Sequence, residues 1–467
     1  MNDHRRTVQV TTRSGRIDGS RVVIILGWLV GGISASLVGT GGSVSAVEQA
    51  MLLFSLLSLA FGIWLFLAHG ERRITAAGVW GFAFALFVGF AGLYTLFVSQ
   101  RIPPGLLAAL TVAYFGQVFM YGLFWRERPR LSAAMRWPAD PGVARWGIIV
   151  GSLLLLGSSL MAGGEQETAT LVDAAAFTSV VVLTASLLLH GGNVLGVWRL
   201  VLIASAFFAY SSFVFSGFGR LTLGALGLSL AILACKWFRG RKVKVAILLV
   251  TGPTLLILAQ ARVAFTAGLN PDQGSITGLE SLASPLTSIA RLLSKHAQLP
   301  RAWGSTFWAS AVAFVPRGLW PAKPAGFGAE LVPILSPELV GTGHSEAALS
   351  HGEWLYNFGL IGLVLMILVL GWIVRWIDRW LETVNSYPLG DRRRLLSFVA
   401  ATIAAAGMAD LVWAGTFTWV ARSGSRLLIV GLLFLVSGIG LVTRSRSSRA
   451  PAPASDTRGR PANRTGL

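Results

Sequence analysis

Twelve apolar runs constrain this chain more than any other feature. A hydrocarbon core of about 30 Å takes about 20 apolar residues wound as a helix. Runs of that order occupy 21–39, 49–69, 74–98, 104–125, 146–164, 169–192, 197–219, 221–238, 245–265, 353–374, 395–418 and 425–443. The weakest are 169–192, which carries Asp173 and His190, and 395–418, which carries Asp410. Only the turn Ser216-Gly217-Phe218-Gly219-Arg220 separates 197–219 from 221–238. Charged residues make up 13% of the 467, about half the usual share of a soluble domain. A string of soluble domains is excluded, and so is disorder over most of the chain. The single cysteine, Cys235, excludes a disulfide scaffold and a cysteine-ligated zinc site.

A net charge of +19 would suggest nucleic acid in a soluble protein. Here the basic residues alternate with the apolar runs, so no nucleic-acid partner is expected. With the N-terminus inside, 29 of the 39 Lys and Arg fall on cytoplasmic segments, as the positive-inside rule requires. The expected organisation is a basic cytoplasmic tail over 1–20, nine helices over 21–265 and a large extracytoplasmic loop over 266–352. Three helices over 353–443 and a disordered cytoplasmic tail over 444–467 complete it. The first apolar run reads as an uncleaved anchor. Gly27-Trp28-Leu29-Val30-Gly31 fits close helix packing.

The loop 266–352 is the informative segment. Ser284-Pro285 fits an N-cap followed by proline at the first helical position. Leu282, Leu286, Ile289 and Leu293 recur at helical spacing beside Arg291, Lys295 and His296, which predicts an amphipathic helix on the membrane face. Further on come Trp303, Trp308 and the run Phe314-Val315-Pro316-Arg317-Gly318-Leu319-Trp320-Pro321-Ala322-Lys323-Pro324. A long loop of this composition is usually functional.

Several enzyme signatures are absent from the sequence. It has no G-x-x-x-x-G-K-[ST] for ATP, no H-E-x-x-H and no D-x-D for a metal-bound nucleotide sugar. His344 and His351 lie seven apart, which is no known zinc spacing, so no metal is expected. The first outer loop, near 40–48, holds only Glu48. What the sequence does have is a set of cations expected at the outer surface: Arg220, Arg262, Arg291, Arg317 and Lys323. Such arginines either snorkel and pair structurally or grip phosphate in a bidentate way. The prolines around Arg317 restrict its backbone. Trp303 and Trp308 read as an aromatic belt, and Trp320, between Arg317 and Lys323, as a platform for sugar rings. Proton-accepting candidates are Glu330, Glu338, His344, Glu346, His351, Glu353 and Asp410. Glu353 is expected at a helix start, favoured by the dipole and facing an outer cavity. Asn357 lies four residues on, on the same face.

Phe314-Val315-Pro316-Arg317-x-x-Trp320-Pro321-x-Lys323-Pro324, followed by Gly352-Glu353-x-x-Tyr356-Asn357-Phe358-Gly359, resembles the Wzy-type O-antigen polymerases, the oligosaccharide repeat-unit polymerases. The turn Ser216-Gly217-x-Gly219-Arg220 resembles the same family's Gly-Arg turn. The resemblance implies an all-α integral membrane protein of about twelve transmembrane helices. It implies a GT-C-like polytopic bundle in the plasma (inner) membrane with one large late extracytoplasmic loop. It implies transfer of a glycan from undecaprenyl pyrophosphate onto the next lipid-linked repeat unit, without nucleotide sugar, metal or other cofactor. Arg317 and Arg220 would stabilise the leaving pyrophosphate, with Glu353, His351 or His344 taking the acceptor's proton. Arg262, Lys323, Trp320, Asn357, Tyr356 and Arg291 would bind substrate. The implied partners are the donor and acceptor glycolipids, the bilayer, and a chain-length regulator and flippase of the same pathway. An O-antigen ligase and a lipid-linked glycan flippase or transporter are the alternatives.

Overall fold

The structure is a computed structural model. It describes residues 46–99, 101–125, 140–162, 166–190, 196–215, 220–235, 238, 240–267, 279–315, 318–386 and 389–445. Those residues are helical and contain no strand. In chain order the long helices are α1 (Ala46–Ala68), α2 (Ala76–Phe97), α3 (Leu106–Phe124), α4 (Pro141–Met161), α5 (Gln166–Leu189), α6 (Val197–Val214), α7 (Arg220–Ala234) and α8 (Gly240–Ala267). The next segment carries α9 (Glu280–Ser294), α10 (Ser305–Ala311) and α11 (Phe327–Leu335). Then come α12 (Leu349–Ser386), α13 (Arg392–Ala406), α14 (Met408–Trp419) and, after a π turn over Val420–Gly424, α15 (Ser425–Ser445). Eight helices among the described residues are long and apolar enough to cross a membrane. The chain is an α-helical membrane protein. The apolar run 21–39 lies outside the described residues.

Local chemistry accounts for the helix starts. Thr75 accepts from the Gly78 amide at 3.0 Å and opens α2. Asp140, followed by proline, accepts from Gly142 at 2.8 Å and opens α4. Both are side-chain N-caps, which satisfy amides that have no partner inside the helix.

The basic connections meet at one end of the bundle. Lys244 of α8 donates to the His69 carbonyl at 2.6 Å, and Gly240 lies against the Arg72 carbonyl. Asp378 of α12 accepts from the Ala77 amide at 3.2 Å and from Trp125 Nε1 at 3.1 Å. The opposite end holds the 279–348 segment, where Gly105 ahead of α3 sits on the Ala290 carbonyl of α9.

Two expectations about α9 change. The helix opens at Glu280 and runs through Pro285. The Ser281 carbonyl that Pro285 cannot serve takes a bond from Ser284 Oγ at 3.1 Å instead, which is why the proline is tolerated. Leu282, Leu286, Ile289 and Leu293 are buried, as the spacing predicts. They pack against α2, α3 and α12, so the apolar face meets protein and not lipid.

Two other expected spans are not continuous helices. The run 353–374 contains Gly359 at φ 67, ψ −151, and the run 395–418 contains Gly415 at φ 81, ψ −165. That backbone region is open only to glycine, and at both places the chain turns back on itself. Trp354 and Gly362 would stand about 12 Å apart in a straight helix. A Cβ on Gly362 would instead strike the Trp354 carbonyl. Residues 349–358 therefore lie antiparallel beside the start of 360–386. At the second reversal, Gly407 meets the Ser423 hydroxyl and Asp410 meets Arg422, so 408–414 runs back along 416–424.

Candidate functional site

The first reversal leaves the end of its short arm, residues 349–358, with free carbonyls. The loop ahead of α10 takes them: the Ala302 amide donates to Tyr356 O at 3.2 Å and the Trp303 amide to Asn357 O at 3.1 Å. The Arg301 guanidinium lies over Gly359, its Cζ 2.7 Å from where a Cβ would stand. A cation there suits the negative end of a helix. Asn357 fixes the same loop by its side chain. Its Oδ1 accepts from the Gly304 amide at 2.8 Å, while Nδ2 donates to Thr306 Oγ1 at 2.6 Å and to the Glu353 carbonyl at 2.8 Å.

The second reversal leaves free amides at the start of the arm that follows Gly415. The carboxylate of Glu353, on the first hairpin, takes them. Its Oε2 accepts from the Thr416 amide at 2.5 Å, and the Phe417 amide also bonds to it. Thr306 Oγ1 of α10 donates to Oε1 at 3.4 Å. Glu353 is fully buried. The expected position is corrected: Glu353 is not at the start of its own helix, which opens at Leu349, and it faces no open cavity. It caps a different helix across the joint between the hairpins.

Beside this joint lie two ion pairs. Asp410, with no exposed surface, holds Arg422 Nη1 at 2.8 Å, and Arg422 is 26% exposed. Arg422 also lies 5.6 Å over the Trp413 ring. Four residues on, Arg426 of α15 is buried, 3.6 Å over the Phe177 ring and 3.7 Å from Asp173. The Tyr210 hydroxyl donates to Asp173 at 2.6 Å. Asp173 stands in the sequence only as a flaw in its span and Asp410 as a flaw and a candidate proton acceptor, while Arg422 and Arg426 draw no attention there. An acid inside an apolar run calls for a cationic partner, and two arginines four apart at the start of the last run supply it.

The structure treats the other singled-out residues unequally. His351 is buried with neither ring nitrogen bonded, its Nε2 toward Gly116 of α3. His344 is exposed, 3.5 Å from Glu346, and Glu346 in turn accepts from Ser288 and Ser336. Tyr356 is buried and donates to Glu330 at 3.4 Å. Lys323 donates to the carbonyls of Ala313 and Val315, at 2.8 and 2.9 Å. Trp320 is half-buried and Arg291 exposed. Glu353 and Asn357 are brought together, and His344 and His351 are not. Arg317 lies outside the described residues, as do the side chains of Arg220, at the first position of α7, and Arg262, within α8. Among the described residues no cluster of His, Cys, Asp and Glu has the makings of a metal site.

The assembly has a clear chemical character. A carboxylate, an amide and two threonines sit at the joint of two glycine reversals, under a loop rich in aromatic residues, with an arginine pair alongside. Comparison of the chain with protein-family models, with curated proteins and with solved structures finds no match.

Proposed function

We propose that this chain is a membrane glycosyltransferase of the Wzy type. It joins oligosaccharide repeat units carried on undecaprenyl pyrophosphate into a surface or exopolysaccharide, at the outer face of the plasma membrane, with both termini cytoplasmic. One observation carries most of the reading: the 279–348 segment is built into the bundle over the two reversals, and cationic and acidic groups collect at that end. A pyrophosphate leaving group needs fixed cations at its oxygens. Arg317 and Arg220 fill that role in this reading. A sugar hydroxyl needs a proton acceptor. Of Glu353, His351 and His344, only His344 is exposed, and it is the acceptor we favour.

Broken helices also occur in transporters, where they meet near the bilayer midplane. Here the apolar part of the arm that follows Gly359, residues 360–374, is about 22 Å long at 1.5 Å per residue. In a core of about 30 Å that carries the first reversal well past the midplane toward the end opposite Arg375, which favours the enzyme. The Pro-Arg-x-x-Trp-Pro-x-Lys-Pro run favours a polymerase over a ligase.

The test is reconstitution in vesicles with undecaprenyl-pyrophosphate-linked repeat units as sole substrate, with chelator and without nucleotide sugar. A ladder of products is expected. Arg317→Ala and Arg220→Ala should each lower its rate about 10²–10³-fold, with lysine a poor substitute. Transfer to a lipid A core or protein with no ladder would make the chain a ligase, and movement of substrate without bond formation would make it a transporter. Orientation is checked by labelling from outside, which should reach a Gly274→Cys variant and not a Ser455→Cys variant.

A further inference from the structure

At the basic end, remote from the reversals, the turn after α1 and the second arm of α12 enclose a cavity that the proposed reaction does not use. His69, Arg73, Thr75, Arg375, Asp378 and Glu382 line it. The cavity has a volume of about 20 Å³, in a partly open recess whose empty space, solvent at the mouth included, is about 320 Å³.

Most of the charge around it is already spent. Asp378 takes bonds from Trp125 and the Ala77 amide. Glu382 acts on Arg73. Lys244, behind the His69 backbone, is held by the carbonyls of Leu67 and His69. Three donor atoms are left over. Arg375 Nε and Nη1 are buried and bonded to nothing, and so is His69 Nε2. His69 is 5% exposed, with its Nδ1 2.7 Å from Thr75 Oγ1. That oxygen accepts from the Gly78 amide, and among the described residues the only acceptor in reach of its own proton is Nδ1; that assignment puts the ring proton on Nε2 and makes Nε2 a donor. Burial, with Lys244 and Arg375 nearby, pushes the imidazole down to about 3, so the ring is neutral.

Buried donors without acceptors are costly, and native structures rarely leave them so. A single water offers too few lone pairs for three donors, and Asp378, which faces Arg375 electrostatically, spends its oxygens on Trp125 and the Ala77 amide. An oxyanion supplies acceptors for all three. We propose that this cavity binds one phosphate-type oxyanion, from the headgroup of an anionic phospholipid or from free phosphate. It lies between the end of the apolar span Ala46–Ala68 and the start of Ala76–Phe97, the level at which headgroups stand. This inference is independent of the proposed reaction.

The test uses the full chain released from nanodiscs of equal phosphatidylglycerol and phosphatidylcholine into native mass spectrometry. Melting with and without inorganic phosphate runs in parallel. A lipid source predicts one retained phosphatidylglycerol, reduced about tenfold in Arg375→Gln and unchanged in the exposed control Arg379→Gln. A free-phosphate source predicts no retained lipid, but a phosphate-dependent rise in melting temperature that Arg375→Gln abolishes. If Arg375→Gln is not recovered folded, His69→Leu, which removes one neutral donor and no charge, carries the same comparison. No retained lipid and no phosphate effect in the wild type would overturn the proposal. Binding that neither variant weakens would overturn it too.

Discussion

At Gly359 the chain leaves a helix whose last carbonyls are free, and the amides of Ala302 and Trp303 take them. At Gly415 it enters a helix whose first amides are free, and the Glu353 carboxylate takes them. The first closure is made largely by main chain, with the Asn357 side chain bonding the same loop and the Arg301 guanidinium laid over it from outside. The second depends on a single buried side chain. Each end meets the charge its dipole favours, a cation at the carbonyl end and an anion at the amide end. The first joint should therefore tolerate side-chain changes that the second cannot, and Glu353, which belongs to one hairpin and caps the other, couples them.

The glycines give the largest expected difference. An added Cβ forces both residues into a backbone region costing of order 1–3 kcal/mol. At Gly415 it would also strike the buried Glu353 carboxylate, and at Gly359 only the far end of an arginine. Gly415→Ala should lower the melting temperature in detergent more than Gly359→Ala, and equal losses would break the comparison. Asp410→Ala comes next. It leaves Arg422 unpaired beside the second reversal, at an expected cost of about 3 kcal/mol, whereas Asp410→Asn should recover part of the melting loss. The smallest effect is expected from Arg301→Ala. An exposed charge at a helix end contributes roughly 0.5 kcal/mol, so its melting should stay near wild type. A large loss there would show that the first joint depends on the Arg301 charge as the second depends on Glu353.

The contrast marks what was legible in the sequence. Apolar runs placed α1 to α8 to within a few residues, because length and hydropathy are local properties. They were blind to the reversals. Asn357-Phe358-Gly359-Leu360-Ile361-Gly362 stays apolar through the turn, and a hairpin with two apolar arms reads as one span. The spacing of Leu282, Leu286, Ile289 and Leu293 gave the buried face of α9 correctly but not its neighbour, since protein and lipid are equally apolar to a helix face. Glu353 and Asn357 were singled out as i, i+4 partners, and they do share bonds. That the capped helix is a different one was beyond sequence spacing, because Thr416 lies 63 residues away.

The most direct measurement compares Glu353→Gln with Glu353→Ala for melting temperature and polymer length at equal protein level. If Glu353 acts by positioning the second reversal, the glutamine oxygen still accepts from the Thr416 amide. Gln should then keep most of the melting temperature and chain extension, while Ala loses both. A Gln variant that melts like wild type yet forms no polymer would contradict this account and make Glu353 a group that reacts with substrate.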